Sequence, residues 1–272
     1  MKTTEQDSRY ARLDEMGTRE LLCAMNAEDS GVPGAVAGAI PQITRLVDAI
    51  TGRMRLGGRV FYTGAGTSGR LGIVDASEIP PTFGVIGAFE GIIAGGDGAI
   101  RRAVEGAEDD PDRGWQDICA FDPTPADTVV GIAASGTTPY VVGAVRQARA
   151  HGLLTACITC NEGSPVAAEA EIPIVAVVGP EFVTGSTRLK AGTATKLILN
   201  MISTAVMVRT GHVRGSRMVD MQLSNAKLVD RGTRMIMDAT GITDYAAAKA
   251  LLLRYGSVRA AVDAHNSEAL KA

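Results

Sequence analysis

The stretch that decides the fold is VFYTGAGTSGRLG, which runs from Val60 to Gly72. It begins as a short apolar run, breaks into glycine, serine and threonine, and continues as a helix-like segment. A second stretch of the same design, VVGIAASGTTPY, runs from Val129 to Tyr140. Short apolar runs of this kind predict buried strands of a parallel sheet. The sequence therefore predicts two strand–turn–helix units.

Both turns have the composition of a phosphate-binding loop. A helix N-terminus offers unpaired backbone N–H groups and the positive end of the helix dipole to an anion. Side-chain hydroxyls add further donors, and we predict that Thr67, Ser68, Ser135 and Thr138 contact the phosphate. Neither turn carries the lysine that a nucleotide P-loop needs after its glycines. The pattern favours a small phosphorylated ligand over a nucleoside triphosphate.

Two other interpretations of the first turn stay open at this level. Gly64, Gly66 and Gly69 fit the G-x-G-x-x-G dinucleotide pattern. That pattern needs an acidic residue about 20 residues later, whereas Asp97 comes late and Pro80-Pro81 would break a simple crossover helix. The remaining interpretation is a tight structural turn of a doubly wound sheet, with no ligand.

The composition is that of a soluble α/β enzyme. Hydrophobic residues make up 46% of the 272 residues, and no apolar run reaches the roughly 18 residues of a membrane span. The polar start of the chain predicts no signal peptide. A net charge of −3 without a basic stripe argues against a nucleic-acid partner. Four cysteines are few for an exported disulfide framework, which favours a reducing cytoplasm.

The cysteines and histidines do not suggest a metal site. Cys157 and Cys160 form a lone C-x-x-C that closes an apolar, strand-like run. A redox motif would open a helix, and a zinc site would need a second pair. The three histidines are scattered along the chain. We expect two buried strand cysteines, and neither a metal nor a redox cofactor.

The rest of the chain alternates between strand and helix patterns. Helical periodicity covers about Thr18–Arg53, then Ala99–Ala107, and the tail from Met218 to Ala272. Breaks are possible in that tail at Gly232, Gly241 and Gly256. The strand candidates are Arg59–Thr63, Gly91–Ala94, Thr128–Ala133, Thr155–Thr159 and Pro173–Val177. This alternation predicts a parallel five-stranded sheet with helices on both faces, and a ligand beyond the carboxyl ends of its strands.

The clearest helix pattern runs from Ser186 to about Thr210, with Thr184 or Ser186 as its N-cap. Arg188 and Lys190 then fall in its first turns, where the helix dipole disfavours cations. This conflict predicts a carboxylate or anion beside them. The alternative is a pair of solvated cations on the helix surface.

Two glutamates are candidates for a chemical role. Glu78 lies in DASEIPPTFG, at a helix end broken by Pro80-Pro81 and downstream of the first loop. Glu108 lies in VEGAEDDPD, at the end of the predicted Ala99–Ala107 helix. Its acidic neighbours make a solvated helix end the default interpretation. The spacing alone leaves both roles open.

Several longer motifs resemble the N-acetylmuramic acid 6-phosphate etherases of the sugar isomerase (SIS) superfamily. The resemblance extends from near the N-terminus to about Thr243. The matching segments are GAGTSGRLGIVDASEIPPTFG (64–84), IAGGDGAIRRAVEGAEDD (93–110), GIAASGTTPYV (131–141), GPEFVTGSTRLKAGTATKLILNMIST (179–204) and MVDMQLSNAKL (218–228). Glucokinase regulatory proteins share part of the pattern but are longer and carry two SIS units. The resemblance implies an SIS domain over residues 54–214, between helical segments 1–53 and 215–272.

The resemblance also implies an activity. The family splits the ether between N-acetylglucosamine 6-phosphate and D-lactate in cell-wall sugar recycling, by elimination followed by hydration. In that family Glu78 corresponds to the proton donor and Glu108 to its acid/base partner. The phosphate would be bound by Thr67, Ser68, Ser135 and Thr138. Further substrate contacts are implied for Gly66, Gly136, Thr137, Ser186, Thr187 and Lys190.

The family is usually dimeric with sites near the interface, so the resemblance implies a cytoplasmic homodimer that acts on a phosphorylated amino sugar. Thr137 stands where family members usually have arginine, in SGTTPY instead of SGRTPY. Two related functions remain possible from the sequence. They are another SIS enzyme such as an aldose–ketose isomerase, and a regulator that binds a sugar phosphate without turnover.

Overall fold

The computed structural model describes residues 2–269. The chain forms two compact units. The first consists of Met1–Ser77 and Ala88–Val206, and the second of Glu78–Gly87 and Met207–Ala272. The sequence-based division into 1–53, 54–214 and 215–272 stays a prediction.

A five-stranded parallel sheet forms the centre of the first unit. Its strands are β1 (Val60–Gly64), β2 (Phe89–Ile93), β3 (Thr128–Ile132), β4 (Leu154–Thr159) and β5 (Ile172–Val175). Their spatial order is β2-β1-β3-β4-β5. Each predicted strand is confirmed, with both ends within two residues of those observed. The chain therefore leaves β1 toward one side and β3 toward the other, which creates the crevice where such sheets bind ligands.

Helices cover both faces of this sheet. The first unit contains α1 (Thr18–Asp29), α2 (Val32–Gly38), α3 (Ile40–Met54), α4 (Gly66–Ser77), α6 (Gly98–Arg101), α7 (Arg113–Cys119), α8 (Pro139–Ala150), α9 (Pro165–Glu169) and most of α10 (Lys190–Arg209). Helix α10 belongs to this unit as far as Val206. Helix α4 packs on one face, where a Cβ on Gly72 would lie 3.0 Å from Tyr62 and 3.1 Å from Ile132. Helix α8 packs on the other face, because a Cβ on Gly131 would meet Val145 at 2.5 Å. The predicted α/β architecture is confirmed.

The second unit is mainly helical. It contains α5 (Ile79–Phe83), a short hairpin of β6 (Val213–Arg214) and β7 (Arg217–Met218), then α11 (Ala226–Thr240), α12 (Tyr245–Tyr255) and α13 (Val258–Ala269). Its core includes Met221, Ile236 and Leu252. Gly241 and Gly256 end α11 and α12 with positive φ, as predicted. The predicted break at Gly232 is wrong, since Gly232 lies inside α11, where a Cβ would come within 2.8 Å of Leu252.

Two helix predictions also need correction. The predicted helix Ala99–Ala107 is limited to α6, because Arg102 is extended and Gly106 turns the chain with a φ of +73°. The predicted helix from Ser186 begins four residues later, at Lys190. The Glu181 carboxylate accepts hydrogen bonds from the backbone N–H groups of Lys190 and Ala191, at 2.9 Å each, and sets the start of α10.

Helix α10 is long and apolar enough to cross a membrane by length and composition alone. However, 56% of its apolar window is buried within the fold, and Ile198, Leu199 and Ile202 are almost completely buried. The core helix of a soluble protein has these same properties. The helix is therefore weak evidence for a membrane span.

Candidate phosphosugar site

The first loop is a tight connection from β1 to the N-terminus of α4. Gly66 begins the helix with a φ of +53°, in the left-handed region that favours glycine. A Cβ on Gly69 would lie 2.6 Å from Ile93 and 2.7 Å from the Gly64 carbonyl oxygen, so glycine is needed for this close approach. Thr67 and Ser68 lie in the first turn of α4 and are half-buried. Their hydroxyls are thus at the carboxyl edge of the sheet.

Helix α4 is fixed by a polar contact that the sequence patterns did not suggest. Asp75 is buried and accepts hydrogen bonds from Asn200 at 2.7 Å and from Ser203 at 3.1 Å, both on α10. Burial raises the pKa of the Asp75 carboxyl, and these two donors oppose that effect. The contact holds the helix that carries the first loop.

The second loop leaves β3 at the same level, since Gly64 and Ile132 are partners in the parallel register. Gly136 has a φ of +71°. Ser135 Oγ accepts from the Thr137 backbone N–H at 3.3 Å and from the Thr137 hydroxyl at 3.2 Å, which leaves its own proton to donate. Thr138 precedes α8 without capping it through its side chain. The hydroxyls of Ser135 and Thr138 therefore have no capping role in this helix.

The expectation of unpaired backbone donors does not hold for three N–H groups of this loop and the start of α8. Gly136 N–H donates to Ala133 O at 2.9 Å, Thr137 N–H to Ser135, and Tyr140 N–H to Glu108 O at 3.0 Å. Proline at position 139 has no N–H to offer. Side-chain donors consequently matter more here than the sequence pattern indicated.

Glu108 lies beside both loops. Its backbone carbonyl receives the Tyr140 N–H at the start of α8. Glu108 also lines a small cavity of about 140 Å³, together with Gly66 of the first loop and Arg70 of α4. The side chain is exposed and sits in a turn, not at a helix end as the periodicity predicted. The structure thus brings Glu108 to the crevice between β1 and β3.

Arg70 is a positioning residue that sequence analysis missed. Its guanidinium donates to the carbonyl oxygens of Ala99 at 2.8 Å and Ile100 at 2.9 Å, at the end of α6. The arginine therefore joins α4 to the segment that leads toward Glu108. Its place two residues after the Thr67-Ser68 pair was the available signal.

Glu78 belongs to the second compact unit. It directly precedes α5, and its carbonyl oxygen accepts a hydrogen bond from Thr82 N–H at 3.2 Å. The side chain is exposed. Helix α4 ends at Ser77, which confirms the helix end predicted before Pro80-Pro81, and the short α5 that follows ends at Gly84 with a φ of +72°.

The last group of predicted contacts precedes or begins α10. Ser186 and Thr187 lie in turns, half-buried, with their N–H groups bonded to Val183 O and Gly185 O. Lys190 is buried, and its ammonium lies 2.5 Å from a carboxylate oxygen of Glu28 on α1. This pair confirms the predicted carboxylate partner. It also gives Lys190 a structural role, and the implied substrate contact stays a prediction.

The cysteines are free thiols, as expected. Cys157 lies in β4 and Cys160 just after it, and burial raises the pKa of each thiol to about 12. Within residues 2–269, no cluster of three or more His, Cys, Asp or Glu side chains is suited to a metal.

A parallel sheet with two Ser/Thr-glycine loops at its switch point is the architecture of the SIS fold class. The SIS domain pattern matches residues 121–207, and that of the glucokinase regulatory protein N-terminal SIS domain matches residues 42–149. The fold is similar to that of a Francisella tularensis phosphoheptose isomerase, with a TM-score of 0.52 and 18% identity over 70% of this chain and 100% of that one. A phosphosugar isomerase involved in capsule formation from Bacteroides fragilis gives a TM-score of 0.54 and 20% identity, over 71% of this chain and 92% of that one.

The sequence relatives are more specific. The N-acetylmuramic acid 6-phosphate etherase of Porphyromonas gingivalis is 60% identical over 96% of this chain and 95% of its own length. The etherase of Bacteroides thetaiotaomicron is 58% identical over 98% of both chains, and that of a Jannaschia species is 54% identical over 94% of this chain and 81% of its own. This chain belongs to the N-acetylmuramic acid 6-phosphate etherase family.

Proposed function

We propose that this chain cleaves the D-lactyl ether of N-acetylmuramic acid 6-phosphate, giving N-acetylglucosamine 6-phosphate and D-lactate. The observation that carries the proposal is full-length identity of up to 60% to proteins named for this etherase. Two hydroxyl-bearing loops at the ends of β1 and β3, with Glu108 beside both, support it independently.

The reaction needs an acid and a base. The sugar ring opens, and a base removes the carbon 2 proton, which is acidic because it is α to the aldehyde. The carbon 3–oxygen bond then breaks, and an acid protonates the oxygen that leaves with lactate. Water adds to carbon 3 of the unsaturated aldehyde, and carbon 2 regains a proton. General acid–base groups contribute about 100-fold to 10,000-fold to such steps.

We assign these roles to Glu78 and Glu108. Sequence resemblance supports both residues, and the position of Glu108 between the loops adds structural support for that one. Thr67, Ser68, Ser135 and Thr138 would hold the phosphate and so place the sugar for deprotonation.

We further propose that the protein works as a homodimer in the cytoplasm. Glu78 and Glu108 are both exposed in the single chain, whereas deprotonation of a carbon acid benefits from a site that excludes bulk water. A second copy that covers the crevice would provide this exclusion. The paired loops fit one small phosphorylated amino sugar.

The first experiment incubates the purified protein with N-acetylmuramic acid 6-phosphate and measures D-lactate with a stereospecific dehydrogenase. Release of D-lactate in the presence of a chelator is the expected result. A related isomerase would convert a phosphosugar without releasing lactate, and a regulator would bind the sugar without turnover. Either of those outcomes would contradict the proposed activity.

The glutamates are tested by Glu78→Gln and Glu108→Gln, which keep the side-chain shape. We expect each to lower kcat by roughly 100-fold or more, the scale of lost acid–base assistance, without lowering the melting temperature. Asp109→Asn is the matched control, because Asp109 is an equally exposed acid next to Glu108. Full activity in either glutamine variant would remove that glutamate from the mechanism.

A further inference from the structure

The second loop faces a cavity of about 520 Å³ in the first unit. The described residues that line it include Ser135 and Thr137 of the loop, Ser164 before α9, and Lys2 near the start of the chain. The backbone N–H groups of Gly136, Thr137 and Tyr140 already have protein acceptors. These three groups are therefore not free for an anion, and side-chain donors gain importance at this loop.

Ser164 offers one such donor. It is only 5% exposed, and its hydroxyl has no hydrogen-bond partner within residues 2–269. It is held tightly against the loop, since Val166 N–H donates to Gly136 O at 3.0 Å and a Cβ on Gly136 would lie 2.3 Å from Ser164 Oγ. A buried hydroxyl without a partner costs about 1 to 3 kcal/mol. A ligand oxygen would satisfy it.

Lys2 offers a charge. Its ammonium donates to the Thr137 hydroxyl at 2.7 Å. Among the described residues that line the cavity, Lys2 is the only cation. The only carboxylate among them belongs to Glu162, whose side chain is exposed. Because an exposed charge is screened by solvent and salt, Glu162 opposes an anion weakly.

The segment that carries Lys2 is anchored to the same loop. Thr4 is completely buried, its N–H donates to Asn161 Oδ1 at 3.3 Å, and its hydroxyl accepts from Asn161 Nδ2 at 2.9 Å. The same amide nitrogen also donates to Ala134 O at 2.9 Å, at the base of the second loop. Two residues away, Lys2 is thereby kept over the loop.

We propose that Lys2 and Ser164 complete the anion site of the second loop and bind the phosphate monoester of the substrate. The Ser164 hydroxyl and the Lys2 ammonium add two donors, on the side of the second loop, to the hydroxyls already assigned to the phosphate. The Lys2 bond to Thr137 holds the ammonium at the loop until the phosphate arrives. This inference rests on the proposed function, because it identifies further residues that bind the same phosphosugar.

The test is isothermal titration of the full chain with N-acetylglucosamine 6-phosphate, which requires no turnover. Lys2→Met and Ser164→Ala should each raise Kd about tenfold, because each variant removes one hydrogen bond to the phosphate. The bond from Lys2 is charge-assisted, and the bond from Ser164 comes from a hydroxyl that has no partner among the described residues. Lys2→Arg should bind nearly as well as the wild type. Lys249→Met, an exposed lysine on α12 that does not line this cavity, should leave Kd unchanged.

Two controls separate a loss of phosphate binding from a general structural effect of the substitutions. The melting temperature of Ser164→Ala should not fall, because the variant removes an unpartnered hydroxyl. N-acetylmuramic acid, which has the lactyl carboxylate but no phosphate, should bind Lys2→Met and wild type alike. An unchanged Kd for the phosphosugar in Lys2→Met, or a loss confined to the carboxylate ligand, would overturn the inference. If Lys2 governs phosphosugar binding but no lactate is released, the inference stands and the proposed activity fails.

Discussion

Replacement of Glu28 by glutamine tests the contribution of a buried ion pair, together with a longer contact of the same carboxylate to the exposed Arg9 at 3.4 Å. Glu28 on α1 lies 2.5 Å from the Lys190 ammonium on α10, and the two side chains are 9% and 3% exposed. At an effective dielectric constant of about 20, unit charges at this separation attract by about 7 kcal/mol. Much of this attraction is offset by the desolvation of both groups. Loss of one partner from a buried pair costs about 3 to 5 kcal/mol, since the other charge stays buried.

The direction of the Glu28 pKa shift determines how the stabilisation by this ion pair changes with pH. The hydrogen bond from Lys190 holds the pKa of Glu28 below its ordinary value of 4.5. Because the pKa is lowered in the folded protein, the stabilisation is fully present above pH 4.5 and is lost as the pH falls through the folded-state pKa. The difference between wild type and Glu28→Gln should therefore be largest near neutral pH and shrink under acid conditions.

The assay is urea denaturation of wild type and Glu28→Gln at pH 7 and at pH values below 4.5. Glu15→Gln is the control, because it removes an exposed pair with Arg12, which contributes about 0 to 1 kcal/mol. The reasoning is refuted if Glu28→Gln is no less stable at pH 7 than this control. It is also refuted if the destabilisation grows as the pH falls.

Three further predictions use the loops and the thiols. Gly136→Ala should raise KM and destabilise the protein by at least about 1 kcal/mol, because φ at this position is +71° and the new Cβ would lie 2.3 Å from Ser164. Steady-state kinetics measures the change in KM, and thermal melting measures the loss of stability. Thr137→Arg should lower KM by up to about tenfold with kcat unchanged, since it adds a cation that binds ground and transition states alike; loss of activity would show a site shaped around a small residue. Ellman's reagent at pH 8 should label two exposed thiols rapidly, whereas Cys157 and Cys160 should react only on unfolding, because burial raises their pKa; equal labelling of all four would contradict this.

The strands and loops could be predicted because their signals are local. Each buried strand is an apolar run that ends in glycine or in small polar residues, and the first and second loops follow two such runs directly. Their common level at the carboxyl edge follows from the parallel sheet alone. Residues assigned from these patterns, such as Thr67 and Ser135, accordingly lie where the sequence placed them.

The errors arise where distant residues determine the structure. Glu181 sets the start of α10 from nine residues upstream. Arg70 donates hydrogen bonds to the end of α6, to residues 29 and 30 positions further along the chain. Thr4 meets Asn161 across 157 residues. No periodicity indicates such contacts, and those of Arg70 and Thr4 help to position Glu108 and Lys2. The role of Glu78 was suggested by family resemblance and stays a prediction.

The central claim is that the carbon 3–oxygen bond of the sugar breaks and that water then adds to carbon 3. The most direct test runs the reaction in ¹⁸O-labelled water and analyses both products by mass spectrometry and NMR. We expect ¹⁸O in the carbon 3 hydroxyl of N-acetylglucosamine 6-phosphate, and D-lactate whose hydroxyl oxygen is unlabelled. Label in the lactate hydroxyl would mean cleavage on the lactyl side and would contradict the account, as would a folded protein that releases no lactate at all.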